Sequence, residues 1–256
     1  MRLLTRILLG TVALSLFSLP AKCDEAATTG RQAITKWQDA IVTVQLVVKM
    51  SMSVDGKDGR KDENKAEATG LVIDPSGLIV SALSATDPQD MIRQMMSADA
   101  KVDISSEVSS VKILTSDGKE IPGKIVLRDK DLDLVFIRPT QKPANSMTAV
   151  DLSKSSKPAQ LDQVLTLYKQ GPIASRSLAA CIDRIQAVVE KPRTFYIPGS
   201  ESSNTDPGAV VFGMDSNPIG MMVGRLSPKS GGNFDDMFIV IVLPAADIAE
   251  AAKQAP

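Results

Sequence analysis

Two short apolar runs, Leu71-Val72-Ile73 and Leu78-Ile79-Val80, flank the four residues Asp74-Pro75-Ser76-Gly77. Pro75 presets φ at the second turn position, and Gly77 accepts the positive φ that closes a tight reversal. The stretch predicts a β-hairpin. A second hairpin is expected over residues 111–127, where Asp117-Gly118 supplies a strong turn signal between two apolar runs. Strands are also expected at 164–168, 177–183 and 185–189. Short strands with closely spaced turns restrict the chain to an all-β barrel or sandwich, with helix confined to its ends.

The chain of 256 residues has room for two modest domains, and 43% hydrophobic content is enough for a sizeable core. Aromatic residues make up only 4%, so Val, Ile, Leu and Met must fill that core. The formal charge of −1 and the lack of a basic face argue against a nucleic-acid partner.

Residues 1–21 read as a signal peptide. Arg2 and Arg6 form the positive region, residues 7–19 the apolar region, and Leu19-Pro20-Ala21 a small-residue cleavage site. The apolar run of about 13 residues is short of the roughly 20 that a spanning helix requires. The expectation is an exported chain, periplasmic or secreted, with no membrane span once processed. Lys22 stands where a lipoprotein signal needs a small residue, so Cys23 is not expected to carry lipid. Export permits a disulfide between Cys23 and Cys181; spacing leaves both the paired and the unpaired state open.

Residues 22–34 read as a polar tail and 33–39 as a short helical turn carrying Trp37. The Val- and Ile-rich residues 41–49 suit a strand buried on both faces. Residues 55–67 carry charges of both signs around Gly56 and Gly59 and read as a solvated loop. Met91, Ile92, Met95 and Met96 have helical spacing within 87–97. The Pro-, Ser- and Lys-containing residues 140–157 read as a linker, most plainly over 146–157. The Ala-rich residues 245–253, with Asp247 and Glu250 near the start, predict a closing helix.

Candidate chemistry is sparse. The chain contains no histidine and only two cysteines, which disfavours zinc. Asp129, Asp131 and Asp133 have the opening spacing of a calcium loop, but the required Gly and Glu are replaced by Leu134 and Thr140. Ser202 and Ser203 are candidate nucleophiles only if a desolvated lysine lies beside them. Asp133 and Asp206 could form a paired-carboxylate site only if the fold brings them together. No cofactor is expected.

Several of these segments resemble trypsin-like serine peptidases of the HtrA/DegP type. The run from Thr69-Gly70-Leu71 to Ala82-Leu83-Ser84 follows that family's G-S-G-F-I-I-D-P-D-G-Y-I-V-T-N-N-H-V, with Ser84 at the histidine. Asp129 to Ile137 resembles its D-x-x-x-D-L-A-V-L, with Asp133 at the catalytic aspartate. Asn204 to Phe212 resembles G-N-S-G-G-P-L-V, which puts Asp206 or Pro207 at the nucleophile. Asn217 to Gly224 and 237–253 resemble its late strands and terminal helix, while Leu161 to Tyr168 is a weaker match. The resemblance implies two antiparallel six-stranded β-barrels, at 35–145 and 158–256, with a short C-terminal helix and a site in the cleft between them. No segment for the PDZ domain usual in that family is expected after residue 256.

In that family, histidine shuttles the proton of the nucleophile and aspartate orients the histidine. A serine hydroxyl has no protonation change near neutral pH, so Ser84 cannot replace it. The resemblance thus implies an inactive homologue with degenerate positions Ser84, Asp133 and Asp206, acting by binding a polypeptide. The alternative is a divergent serine endopeptidase with another nucleophile.

Overall fold

Gly77 takes φ +97°, and its N–H donates to the carbonyl of Asp74 at 2.9 Å, closing the predicted reversal. This turn belongs to a computed structural model that describes residues 24–54, 57–87, 89, 102–203, 207–226 and 238–256. The signal peptide expected at 1–21, Cys23, Asp206 and nearly all of the Met-bearing helix expected at 87–97 lie outside the described residues.

Six strands form the first barrel: β1 (Ile41–Val54), β2 (Lys57–Asp74), β3 (Leu78–Ala82), β4 (Val102–Leu114), β5 (Glu120–Asp129) and β6 (Leu134–Pro139). They close in the order β1-β2-β3-β6-β5-β4. The second barrel contains β7 (Gln163–Lys169), β8 (Leu178–Val189), β9 (Phe195–Pro198), β10 (Val210–Gly213), β11 (Pro218–Leu226) and β12 (Phe238–Pro244). Its order is β10-β11-β12-β9-β8-β7, and every pairing in both barrels is antiparallel. Helices α1 (Glu25–Trp37), α2 (Leu83–Thr86), α3 (Ser200–Ser203) and α4 (Ala245–Ala252), with 3₁₀ turns at Leu152–Lys154 and Pro172–Ala174, complete the described fold. The all-β double barrel with a short closing helix is the fold expected from sequence.

Side chains alternate across each strand, and both faces are buried where the barrels meet. In β6, Val135 and Ile137 point into the first barrel with Val44 and Ile79. Leu134 and Phe136 point the other way, into a shared core with Leu165, Phe212, Met221 and Ile241 of the second barrel. Val211, Met222 and Val242 fill the second barrel's interior. This double burial explains uninterrupted apolar runs such as Leu134-Val135-Phe136.

Four local expectations need correction. The described part of the charged stretch 55–67 is strand and not loop, though Glu63, Asn64 and Lys65 are exposed: β2 begins at Lys57, its backbone pairs with β1, and Glu67 is ion-paired. Sheet bonds join backbone groups, so a ribbon reaching past the core needs no apolar residues. The same holds for β4, which starts at Val102 rather than 111. Residues 177–183 and 185–189 form one strand, β8, broken in register only at its pairing with β9. The polar tail and helical turn are one helix, capped by Asp24, which accepts the N–H of Ala27 at 3.2 Å.

Both chain ends cross between barrels. Gly30 of α1 faces Leu165 and Ile182 of the second barrel. Trp37 stacks on Phe212, ring centroids 6.0 Å apart, and its indole N–H donates to Ser216 O at 2.9 Å. From the other end, the carbonyl of Pro256 accepts from Arg138 Nε in β6 at 2.6 Å.

Candidate functional site

Ser84 lies in the first turn of α2, where backbone N–H groups have no partner within the helix. Its N–H donates to Asp133 Oδ1 at 2.7 Å, and its hydroxyl donates to Asp133 Oδ2, also at 2.7 Å. A third donor arrives from the other barrel: the Gly224 N–H reaches Oδ2 at 2.7 Å. Asp133 occupies the tight turn before β6 at φ 59°, a conformation that aspartate tolerates better than most residues. Buried Leu132 and Leu134 anchor it on either side, and the N–H of Leu83 donates to its carbonyl at 2.9 Å.

Only 8% of Asp133 is exposed. Burial pushes its carboxyl above the ordinary 3.8, outweighing the donors from Ser84 and Gly224 and the nearby Arg225 guanidinium. The same burial pulls Arg225 down, against the attraction of Asp133. Sequence reasoning placed Ser84 and Asp133 together; the structure also supplies Gly224, a backbone donor that no side-chain pattern could reveal.

Near this network runs the turn at Pro207-Gly208. Gly208 adopts φ +102°, and a β-carbon there would lie 2.9 Å from Thr69 O and 3.4 Å from Ser81 Oγ. The turn therefore abuts the end of β3, two residues before the helix that carries Ser84. Pro207 has no N–H, and that of Gly208 is committed to Met222 O at 2.7 Å. At positions 207 and 208, no backbone donor is available to a reacting oxygen.

The two candidate serines are not exposed together in a loop. Ser202 is fully buried in α3, with its hydroxyl 3.0 Å from Thr166 Oγ1 and 3.6 Å from Cys181 Sγ. Its N–H donates to Asp183 Oδ2 at 2.9 Å. A desolvated lysine does exist: burial lowers Lys169 at the end of β7, opposed by the charge of Asp39. Among the described residues, its ammonium has no hydrogen-bonded hydroxyl. Cys181 lies half-buried on β8 and makes no disulfide among the described residues.

Two contacts lock the barrels on the flank of the cleft. Arg176 grips Glu67 through Nε–Oε2 at 2.9 Å and Nη2–Oε1 at 2.6 Å, while Gln45 Nε2 donates to Oε1 at 2.7 Å. The guanidinium, with help from Gln45, holds Glu67 below its usual range against partial burial. Nearby, the N–H of Lys169 donates to Thr69 Oγ1 at 2.8 Å. Among the described residues, no cluster of three metal-ligating side chains forms, and no helix is long and apolar enough to cross a membrane.

Two closed six-stranded barrels, with a buried aspartate at their seam, define the class of chymotrypsin-like double barrels. A family model described as the trypsin-like peptidase domain matches residues 68–221, more than half of the chain, and the chain belongs to that family. No curated protein matches the chain at a significant level.

Proposed function

We propose that this protein is an exported, HtrA-like peptidase homologue that has lost triad chemistry and acts by binding polypeptide. The observation that carries this reading is the bonding of Asp133. Its carboxylate takes the hydroxyl and N–H of Ser84, in a chain that contains no imidazole. An aspartate so engaged orients nothing that can move a proton near neutral pH. Pro207 and the engaged Gly208 N–H favour the same reading.

The binding surface is the edge of β11 beyond its register with β10. Register with β10 ends at Met221, whereas pairing with β12 continues to Leu226. Among the described residues, 223–226 thus have a sheet partner on one side only, with Val223 buried and the N–H of Gly224 turned toward Asp133. An extended peptide could add there as a strand, taking affinity from backbone bonds and selectivity from neighbouring pockets.

The test is incubation of the purified, processed chain with labelled unfolded casein for a day, with folding checked by circular dichroism. The expected result is intact casein and measurable retention of unfolded chains on immobilised protein. Cleavage that tracks the protein through purification, and is lost in Ser203→Ala, would overturn the reading in favour of a divergent peptidase.

A further inference from the structure

One face of the second barrel is apolar wherever it meets the first. Along β11 that face carries Met221 and Val223, and along β12 Ile241 and Leu243. Strand alternation puts residue 225 next in the row, and the residue there is Arg225. The row ends at a cavity of about 330 Å³ whose lining includes Phe195, Ile241 and Leu243, the two arginines Arg193 and Arg225, and Asp131 of the first barrel.

The charges in this cavity are unbalanced. Arg225 Nη1 donates to the backbone carbonyl of Asp131, not to its carboxylate. Neither guanidinium lies within ion-pair distance of an acid among the described residues. Arg193 is exposed and Arg225 half-buried, and their mutual repulsion adds to burial in disfavouring charge on Arg225. Asp129, Asp131 and Asp133 attract Arg225 from the first-barrel side without forming that pair. Two planar guanidinia without a carboxylate partner among the described residues, beside apolar side chains, suit a carboxylate on a short aliphatic stem, which the donors left over from the Asp131 carbonyl can bind.

We propose that this cavity selects an acidic side chain, Glu or Asp, of the polypeptide bound along β11. The proposal rests on the binding reading given above and names the chemistry of its partner. A strand added beside residues 223–226 sends alternate side chains toward the face that carries Arg225. One of them enters the cavity, its methylene groups on Phe195 and Ile241 and its carboxylate between the two arginines.

The experiment is fluorescence anisotropy of the full processed chain with labelled Ala/Ser-based decapeptides, each fixed as Glu or as Gln at one position in turn. At one position Glu should bind about tenfold more tightly than Gln, a preference that fades with added salt. Arg193→Gln should abolish that preference, and Arg193→Glu should reverse it. Arg193 is exposed, so neither change threatens folding; Arg225→Gln serves as the second variant. Binding of peptides with no Glu-over-Gln preference at any position would overturn this inference and leave the binding reading standing. Failure of every peptide to bind would remove both. Free glutarate binding as tightly as the Glu peptides would overturn the assignment to a polypeptide in favour of a small dicarboxylate.

Discussion

Ser84 gives Asp133 both of its donors, the backbone N–H to one carboxylate oxygen and the hydroxyl to the other, each across 2.7 Å. Gly224 adds a third from the opposite barrel at the same distance. The network fastens α2, the turn before β6 and β11 at a single buried point. It is a structural joint first, whatever the cleft binds.

Removing parts of this joint should cost stability in proportion to the donors left stranded. Ser84→Ala removes one donor and is expected to cost about 1–2 kcal/mol. Asp133→Ala strands two backbone N–H groups and should cost about 3 kcal/mol. Urea unfolding of the three proteins measures both. Equal midpoints would show that the network contributes nothing.

Opposite pH dependences should appear for Asp133 and Glu67. Asp133 has a raised pKa in the folded state, so the unfolded chain releases that proton first, from about its ordinary 3.8. Its contribution is full below 3.8 and falls as pH rises toward the folded value. Glu67 is depressed below its ordinary 4.5, so its contribution is present above 4.5 and is lost as pH falls through the folded value. Unfolding midpoints across the acid range should show the stability gap between wild type and Asp133→Asn narrowing with rising pH. The gap to Glu67→Gln should widen. Gaps that stay constant would refute both assignments.

Glu67 and Arg176 should couple across the barrels. Arg176 is partly exposed, so solvent screens the pair and a double-mutant cycle should return about 0.5–1 kcal/mol. Arg176→Lys should lose most of this, because an ammonium cannot make the paired Nε and Nη2 contacts. Additive single changes would show an ornamental contact.

Gly208→Ala should destabilise by about 2 kcal/mol or more, since φ +102° is costly for a residue with a side chain and its β-carbon would press on Thr69 O. Thermal unfolding reads this directly. A shift no larger than that of a surface substitution would contradict the described turn.

Trp37, the only tryptophan in the sequence, precedes the first barrel but packs on the second. Its fluorescence should therefore be quenched or shifted by Phe212→Ala and barely changed by a substitution inside the first barrel such as Ile113→Val. The reverse pattern would place α1 elsewhere.

The parts of the fold readable from sequence were those in which local chemistry and burial agree. The Asp-Pro-Ser-Gly turn sets its own geometry, and the Val- and Ile-rich residues 41–49 read as a strand buried on both faces, which β1 is over most of that run. The charged half of β2 was misread because its pairing is carried by backbone bonds that leave no mark on residue type. Helix α1 did leave a signal, Asp24 as cap and Gly30, Ala33, Ile34 and Trp37 at helical spacing, but its small residues look polar in bulk. At the site, family motifs located Ser84 and Asp133. They could not locate the Gly224 N–H, the burial of Ser202 or the arginine-lined cavity, because each depends on how distant strands meet.

The crossing of α1 onto the second barrel also fixes an order of events during synthesis. The helix leaves the ribosome before any strand, yet Leu165, Ile182, Phe212 and Ser216 do not exist until most of the chain has followed. The first barrel has all its strands early and can close while the helix waits without a partner. The earliest segment of the described chain thus cannot complete its contacts until the chain has grown past Ser216.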